Sequence, residues 1–424
     1  MENRYDKYKD SGIAWIGEIP EHWEVIPHKR IMRKKKIIKE LYAGENILSL
    51  TKKGVIIRDL EAGGKMPTTF NGYQILYPDN LLICLFDIDV TPRCVGIIKD
   101  EGLSSPAYSQ FVLNQLGYTP FFDYLLRYMD DEKCLLHLSK NLRNSLTEDD
   151  FGQIETIVPS IQEQQSIATY LDQKCGEIDE LITLQEEMIT KLQSYKQSVI
   201  TEAVTKGLDK NVPLKDSGIE WIGEIPEHWS KNKIIRLFST ISSGTTPKSS
   251  KEDNYIGSVN WIQSGDINGG YIENCKNTIS DTALKEYPTL KIYKAPFIIV
   301  AMYGASVGNV SISNIDGCVN QACCVMNEAK QNFKYLFYAM NSVKKYLIYK
   351  AEGGGQPNIS QDKIKNTWLP IPPLSEQQSI TDYLDQQCSE IDELVSIKQQ
   401  KIEKLKDYKK SLIFECVTGK RKVS

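Results

Sequence analysis

This chain repeats itself, and the repeat limits what it can fold into more than any other feature. Asp10–Trp23 reads DSGIAWIGEIPEHW and Asp216–Trp229 reads DSGIEWIGEIPEHW, thirteen of fourteen positions alike at an offset of 206. Glu163–Thr205 aligns without gaps on Glu376–Thr418, with 25 identities in 43 positions at an offset of 213. Between these pieces, Ile26–Thr156 and Lys231–Thr367 show no alignment. The order is short segment, divergent stretch and long patterned stretch, then the same three again. A duplicated unit is read before any single motif, because it sets the architecture in which every motif must sit.

The 43-residue repeat predicts a helix. Pro159 and Pro372–Pro373 stand where a helix can begin but not continue backwards, and Ser375 offers an N-cap. In the first copy Leu171, Ile178, Ile182, Ile189, Leu192 and Val199, with Cys175 among them, recur mostly at steps of three, four or seven. In the second copy Leu384, Ile391, Val395, Ile402, Leu405 and Leu412, with Cys388, do the same. Leu181, Met188, Tyr195, Leu394 and Tyr408 widen the stripe. Such a seam, sustained over about four to five heptads, is that of paired helices roughly 65 Å long. Neither helix buries its stripe alone, so the two are expected to pack antiparallel with one divergent domain at each end. The opening segment precedes the first divergent domain, and its twin directly follows the first helix. The N-terminal segment is therefore expected beside the end of the second helix, with the chain termini close.

Both divergent stretches read as mixed α/β. In the first, Asn46–Leu50, Gly54–Ile57, Tyr73–Tyr77 and Leu81–Phe86 are strand-like and Pro120–Met129 is helical. In the second, Val259–Gln263, Phe297–Tyr303, Ser306–Ser311 and Gly317–Val325 predict strands and Phe333–Lys350 a helix. The expected fold is α/β (mixed α+β): two globular domains separated by two long antiparallel, coiled-coil-like helices with an internal pseudo-two-fold repeat. The boundaries are 1–158 for the first segment and domain, 159–207 for the central helix, 208–372 for the repeated segment and second domain, and 373–424 for the C-terminal helix.

The net charge of −4 argues against a polyanion as partner, but the charge is unevenly spread. Ser230–Pro373 carries sixteen basic against ten acidic residues, while Ile26–Pro159 balances at seventeen of each. Local charge is what a polyanion meets. Ten scattered cysteines form no C-x-x-C pair and there are only four histidines, so reduced structural thiols are expected rather than a zinc site. No apolar run nears the ~20 residues of a membrane span, and the start lacks the order of a signal peptide; a cytoplasmic chain is expected. There is no P-loop, no G-x-S-x-G elbow, no dinucleotide-binding glycine motif and no methyltransferase-type Asn/Asp-Pro-Pro-aromatic tetrad. His22 and His228, each in EHW, suit packing or hydrogen bonding better than catalysis.

In combination, these features resemble the specificity subunit of type I restriction–modification systems. The carriers are the DSGI-x-WIGEIPEHW segment opening each half, the entries IVPSIQEQQSI and LPIPPLSEQQSI, and the IDEL…KL…YK pattern along each helix. Gly355–Ser360, GQPNIS, matches a family loop before the second entry; the first half departs from it, with Asn141–Phe151 reading NLRNSLTEDDF. The resemblance implies a non-catalytic subunit whose two target recognition domains each read half of a split, asymmetric site on double-stranded DNA. The helices would act as a ruler and dock two methyltransferase subunits, which restriction–translocase subunits could join. S-adenosylmethionine, ATP and Mg²⁺ would belong to those partners, with no cofactor bound by this chain and no membrane role. The DNA-contacting residues expected in the first domain are Lys52, Lys53, Arg58, Lys65, Arg93 and Tyr108. In the second they are Thr245, Thr246, Lys248, Lys251, Gln263, Tyr303, Asn320, Gln321 and Gln356. All lie in or beside loops and carry donors suited to bases or phosphates. The alternatives are a helical scaffold or oligomerisation protein without DNA recognition, and a stand-alone nuclease.

Overall fold

The structure, a computed structural model, describes residues 4–62, 67–91, 93–138, 144–351 and 358–423. The chain forms two compact units, Met1–Gln185 with Gln400–Ser424, and Glu186–Gln399. Both long helices are continuous, Ile161–Lys206 and Leu374–Val417. Each unit therefore holds the beginning of one helix and the end of the other.

In the first unit, Leu171, Cys175 and Ile178 share a core with Leu412, Cys416 and Val417, and Ile182 and Leu405 pack beside it. In the second, Val199, Ile200 and Val204 share a core with Ile380, Leu384 and Cys388. Early residues of one helix meet late residues of the other, so the pairing is antiparallel within each unit. Asp179 takes the Lys409 ammonium at 2.7 Å, and Asp392 takes that of Lys196 at 2.6 Å. These four residues are repeat equivalents, so one ion pair is written twice. Ile391 and Ile402 are buried, and Ile189, Leu192 and Val395 half-buried. Leu181, Met188, Tyr195, Leu394 and Tyr408 face out instead. Two helices cover only a narrow seam, and these residues lie beyond it.

The start of each helix is clamped by an EHW segment. Glu24–Pro27 pairs with Glu155–Val158, which brings His22 and Trp23 to the first helical turn. Glu163 Oε1 lies 2.9 Å from His22 Nε2 and accepts from Trp23 Nε1 at 3.2 Å. Its other oxygen closes a capping box with Ser160. The second unit repeats this: Ser230–Lys233 pairs with Trp368–Ile371, and Glu376 takes His228 at 2.7 Å and Trp229 Nε1 at 2.9 Å. The counterpart of Ser160 at the repeat offset is Pro373, and the helix begins at Leu374. Ser375 thus lies inside the first turn rather than at the expected N-cap.

The far ends meet the same tryptophans. Gly207 and Gly419 close the helices in the left-handed region, at φ +74° and +72°. A Cβ on Gly207 would sit 3.1 Å from the Trp229 ring, and one on Gly419 would sit 3.0 Å from Trp23. Tyr8 Oη donates to Gly419 O at 3.1 Å, and Lys420 Nζ donates to Glu18 O. The N-terminal segment therefore lies against the end of the second helix.

The two divergent domains share a strand order that their sequences conceal. In the first, Met32–Lys35, Ser109–Leu113, Leu81–Ile83 and Val95–Ile97 form an antiparallel sheet in that order. In the second, Phe238–Ser243, Cys323–Ala329, Phe297–Ala301 and Val310–Ser313 do the same, with Tyr271–Ile272 added in parallel at the edge. The expected strand at Ser306–Ser311 is displaced: Gly304–Ser306 is a 3₁₀ turn and the strand begins at Val310. The expected strand Gly317–Val325 is split by a loop at Asn320–Ala322. The expected helix Phe333–Lys350 breaks into Phe333–Ser342 and Lys344–Tyr349.

Burial alone would raise the Glu163 pKa, but hydrogen bonds from His22, Ser160 and Trp23 hold it below the usual carboxylate range. Glu163→Ala leaves the buried Trp23 N–H without an acceptor and is expected to destabilise the first unit by about 2–3 kcal/mol in urea unfolding, with Glu163→Gln costing less. His28 is wholly buried beneath Phe151, and burial pushes it down to about 4 against the opposing Phe151 carbonyl hydrogen bond. The unfolded chain takes up that proton near pH 6.5, the folded one only near 4. Stability is present above 6.5 and is lost as pH falls through this window. Between pH 7 and 5 the loss is about 2 kcal/mol; a His28→Gln chain that loses as much over the same range would rule His28 out as the cause.

Candidate nucleic-acid interface

Strand register gathers the loops of the second domain at one end of its sheets. Ser243 lies opposite Cys324, and Ala301 opposite Cys323. Val319 lies opposite Ile262 in the neighbouring three-stranded sheet. The chain therefore leaves four strands, and enters a fifth, at the same place. Thr245 N donates to Val319 O at 3.1 Å, Asn320 N to Ile262 O at 3.1 Å, and Met302 N to Ala322 O at 2.7 Å. Gly244 makes the crossing possible, since a Cβ there would fall 1.8 Å from the Val319 carbonyl oxygen. Thr246 Oγ1 donates to Gln321 Oε1. Thr245, Thr246, Gln263, Tyr303, Asn320 and Gln321 thus come together, with Thr246, Tyr303 and Gln321 exposed. Lys248 and Lys251 stand to one flank, where Lys251 pairs with Glu286 and the Lys248 amide donates to Tyr287 Oη. Gln356 lies outside the described residues.

The first domain gathers fewer of its expected residues. By strand order, the counterparts of the loops after Ser243, after Ala301 and before Cys323 follow Lys35, follow Ile83 and precede Ser109. Tyr108 sits at this end, half-buried and stacked on Phe86 at 5.8 Å. Burial raises its hydroxyl pKa, and the nearby Arg58 charge opposes that rise. Lys52 and Lys53 stand on the turn between Leu48–Thr51 and Gly54–Ile57, and Lys53 lines a cavity with Asp123, Tyr124, Arg127 and Asp172. Arg93 is held by Asp131 at 3.0 Å and Asp130 at 3.7 Å. Lys65 lies outside the described residues.

The loop that differs between the halves has the same role in both. Ile359 N donates to Met302 O at 2.9 Å, and Leu146 N to Leu85 O at 2.8 Å. Ile359 and Leu146 are buried. The next residues, Ser360 and Thr147, cap the helices Gln361–Asn366 and Glu148–Gln153. The first half therefore keeps the function of the GQPNIS end without its letters. Asn358, bridged to Tyr303, and Asn144, whose carbonyl accepts from Ile88 N, join the candidate surface. The only sequence signal for them was a small or polar residue followed by a hydroxyl cap.

The domains are tied to the helices by the residue after each clamping glutamate. Gln164 accepts from Tyr118 N at 2.7 Å and donates to the Leu116 and Pro159 carbonyls. Gln377 accepts from Asn332 N at 3.0 Å and donates to Pro372 O and Gln331 Oε1. Tyr118 and Asn332 are the N-caps of the helices Thr119–Asp131 and Phe333–Ser342. About two turns on, Tyr124 Oη donates to Asp172 at 2.8 Å, and Tyr338 Oη to Asp385 at 2.7 Å.

Residues 226–407 match the sequence model of the type I restriction modification DNA specificity domain. A Methanocaldococcus jannaschii chain assigned to the specificity subunit of the type I restriction enzyme MjaX is 27% identical, over 96% of each chain. The MjaVIII specificity subunit of the same organism is 27% identical over 64% of this chain and 63% of its own. A solved chain from a study of complex assembly and conformational transition in the type I R-M system has the same fold, with a TM-score of 0.69 at 15% identity over 94% of this chain and 98% of its own. No helix among the described residues is long and apolar enough to cross a membrane. The second half of this chain thus matches the type I restriction modification DNA specificity domain, and over nearly its whole length the chain is similar to a chain named as a type I restriction enzyme specificity subunit.

Proposed function

We propose that this chain reads a bipartite, asymmetric DNA target, one half per domain, and carries no catalytic site of its own. The observation behind the reading is one strand order held twice on a duplicated frame, with unlike residues at the loop ends. A shared frame presents both loop ends, and different side chains select different bases. In the second reader Thr246, Gln263, Tyr303, Asn320 and Gln321 carry the reading; in the first, Arg58 and Tyr108 do, with Lys52, Lys53 and Lys65 on the backbone. The helix pair sets the unread spacer.

Two methyltransferase subunits dock on the helices. Support comes from an apolar patch left uncovered in each unit: Leu181, Leu184 and Tyr408 in the first, and their repeat equivalents Leu394, Ile397 and Tyr195 in the second. A patch present twice suits two copies of one partner. S-adenosylmethionine, and ATP with Mg²⁺ for any restriction–translocase subunit, belong to those partners.

Methylation-site mapping in a host that supplies the partners tests both parts. Gln321→Ala is expected to cost about 1–3 kcal/mol in DNA binding and to relax one position of one half-site; relaxation in both halves would contradict the assignment of one half per domain. Inserting about one helical turn between Ile178 and Leu192, with a matched insertion in the second helix, is expected to alter the spacer and leave both half-sites intact. Altered half-sites with an unaltered spacer would refute the ruler.

A further inference from the structure

The two domains carry opposite charge at equivalent places. Two independent bonds set the equivalence. The backbone amides that cap the domain helices on the glutamines are those of Tyr118 and Asn332, and the hydroxyls that reach the helix aspartates are those of Tyr124 and Tyr338. Both give an offset of 214. At that offset Asp130 and Asp131 correspond to Lys344 and Lys345. Residues 116–136 hold two basic and four acidic residues, whereas residues 330–350 hold five lysines and no acid.

The two sites use their charges differently. In the first domain Asp130 is buried; it accepts the Cys94 amide at 2.8 Å and takes Lys133 at 3.0 Å, and both carboxylates hold Arg93. That charge is consumed inside the domain. In the second domain Lys345 and Lys350 are exposed and Lys344 half-exposed. Among the described residues these three have no carboxylate partner, while Lys251, Lys294 and Lys334 have Glu286, Asp316 and Asp385. Lys350 stands 5.5 Å over the Tyr346 ring and 5.4 Å over that of Tyr349, which is 76% exposed. The tyrosines steady the ammonium without neutralising it.

This basic turn adjoins the read-out loops. Gly308, in the loop that begins at Tyr303, leaves 3.2 Å between a would-be Cβ and Ile348 and 3.4 Å to the Lys344 side chain. Lys350 O accepts from Lys363 Nζ at 2.8 Å, three residues after the Ser360 cap and five after Asn358, which bridges Tyr303. Ammonium groups without a carboxylate partner among the described residues, beside loops rich in amides and hydroxyls, suit a polyanion whose backbone runs past the bases being read.

We infer that the turn Lys344–Lys350 is a sequence-independent clamp on the DNA phosphate backbone, so that the second domain supplies backbone affinity from a position where the first domain supplies none. This rests on the DNA-reading function proposed above. The test is fluorescence anisotropy of the full chain with a labelled random-sequence duplex across a salt series. Each lysine that neutralises a phosphate adds about 0.9 to the slope of log K against log [salt]. Lys344→Ala/Lys345→Ala/Lys350→Ala is expected to flatten that slope by roughly two to three and to weaken binding at low salt. Lys398→Ala/Lys401→Ala/Lys404→Ala removes the same charge from the second long helix and is expected to leave the slope unchanged. An unchanged slope in the first variant, or an equal loss in both, overturns the clamp; the unchanged slope would leave the turn to an acidic protein face instead. Failure of the unaltered chain to bind the duplex at low salt would overturn the DNA-reading function and the clamp with it. Matching circular dichroism of all three chains separates these outcomes from misfolding.

Discussion

A single carboxylate at the start of each long helix holds the parts of this chain in register. Glu163 and Glu376 each accept a buried tryptophan N–H and face a histidine, in a place where the ring nitrogen would otherwise lack a partner. The same two rings close on the glycines that end the helices, with Trp23 against Gly419 and Trp229 against Gly207. Each tryptophan therefore touches the beginning of one helix and the end of the other. The neighbouring Gln164 and Gln377 carry this register outward by capping the first helix of each domain. The placement of that helix, which faces the long helix in each domain, follows from this short chain of bonds.

Within that frame the domains have kept their topology and lost their likeness. A sheet constrains strand order and burial more tightly than residue identity, so Leu81–Ile83 and Phe297–Ala301 occupy one place with different side chains. Loop ends carry no such constraint. There Phe86 and Tyr108 stack in one domain, whereas Thr246 and Gln321 bond in the other.

The helices were legible because a seam over many heptads is a strong periodic signal; Leu171 to Val199 and Leu384 to Leu412 mark it without help from structure. The periodic stripe is wider than the buried seam, since Leu181, Tyr195 and Tyr408 satisfy the period but lie beyond what a single partner helix covers. The EHW segment was visible as a repeat, but nothing in its letters says that its partner is a glutamate some 140 residues away. The common strand order could not be seen, because strands of two to seven residues leave little pattern. The candidate surface of the second domain was partly legible, as polar loops bounded by glycine. That of the first was not, because Arg93 gives no sign in sequence that Asp130 and Asp131 hold it.

If the proposed clamp holds DNA, the exchange of Asp130 and Asp131 for Lys344 and Lys345 also gives that encounter an order in time. Attraction to phosphates is felt across about a Debye length, ~10 Å at 0.1 M salt, before any base is in reach. The second domain would then capture a passing duplex first and keep it close while it slides. The first domain, its acidic turn closed around Arg93, would add backbone affinity only through the lysines of its loops. On that reading, one half of the chain would govern how long it lingers on any DNA, and the other how sharply a true site stands out from that background.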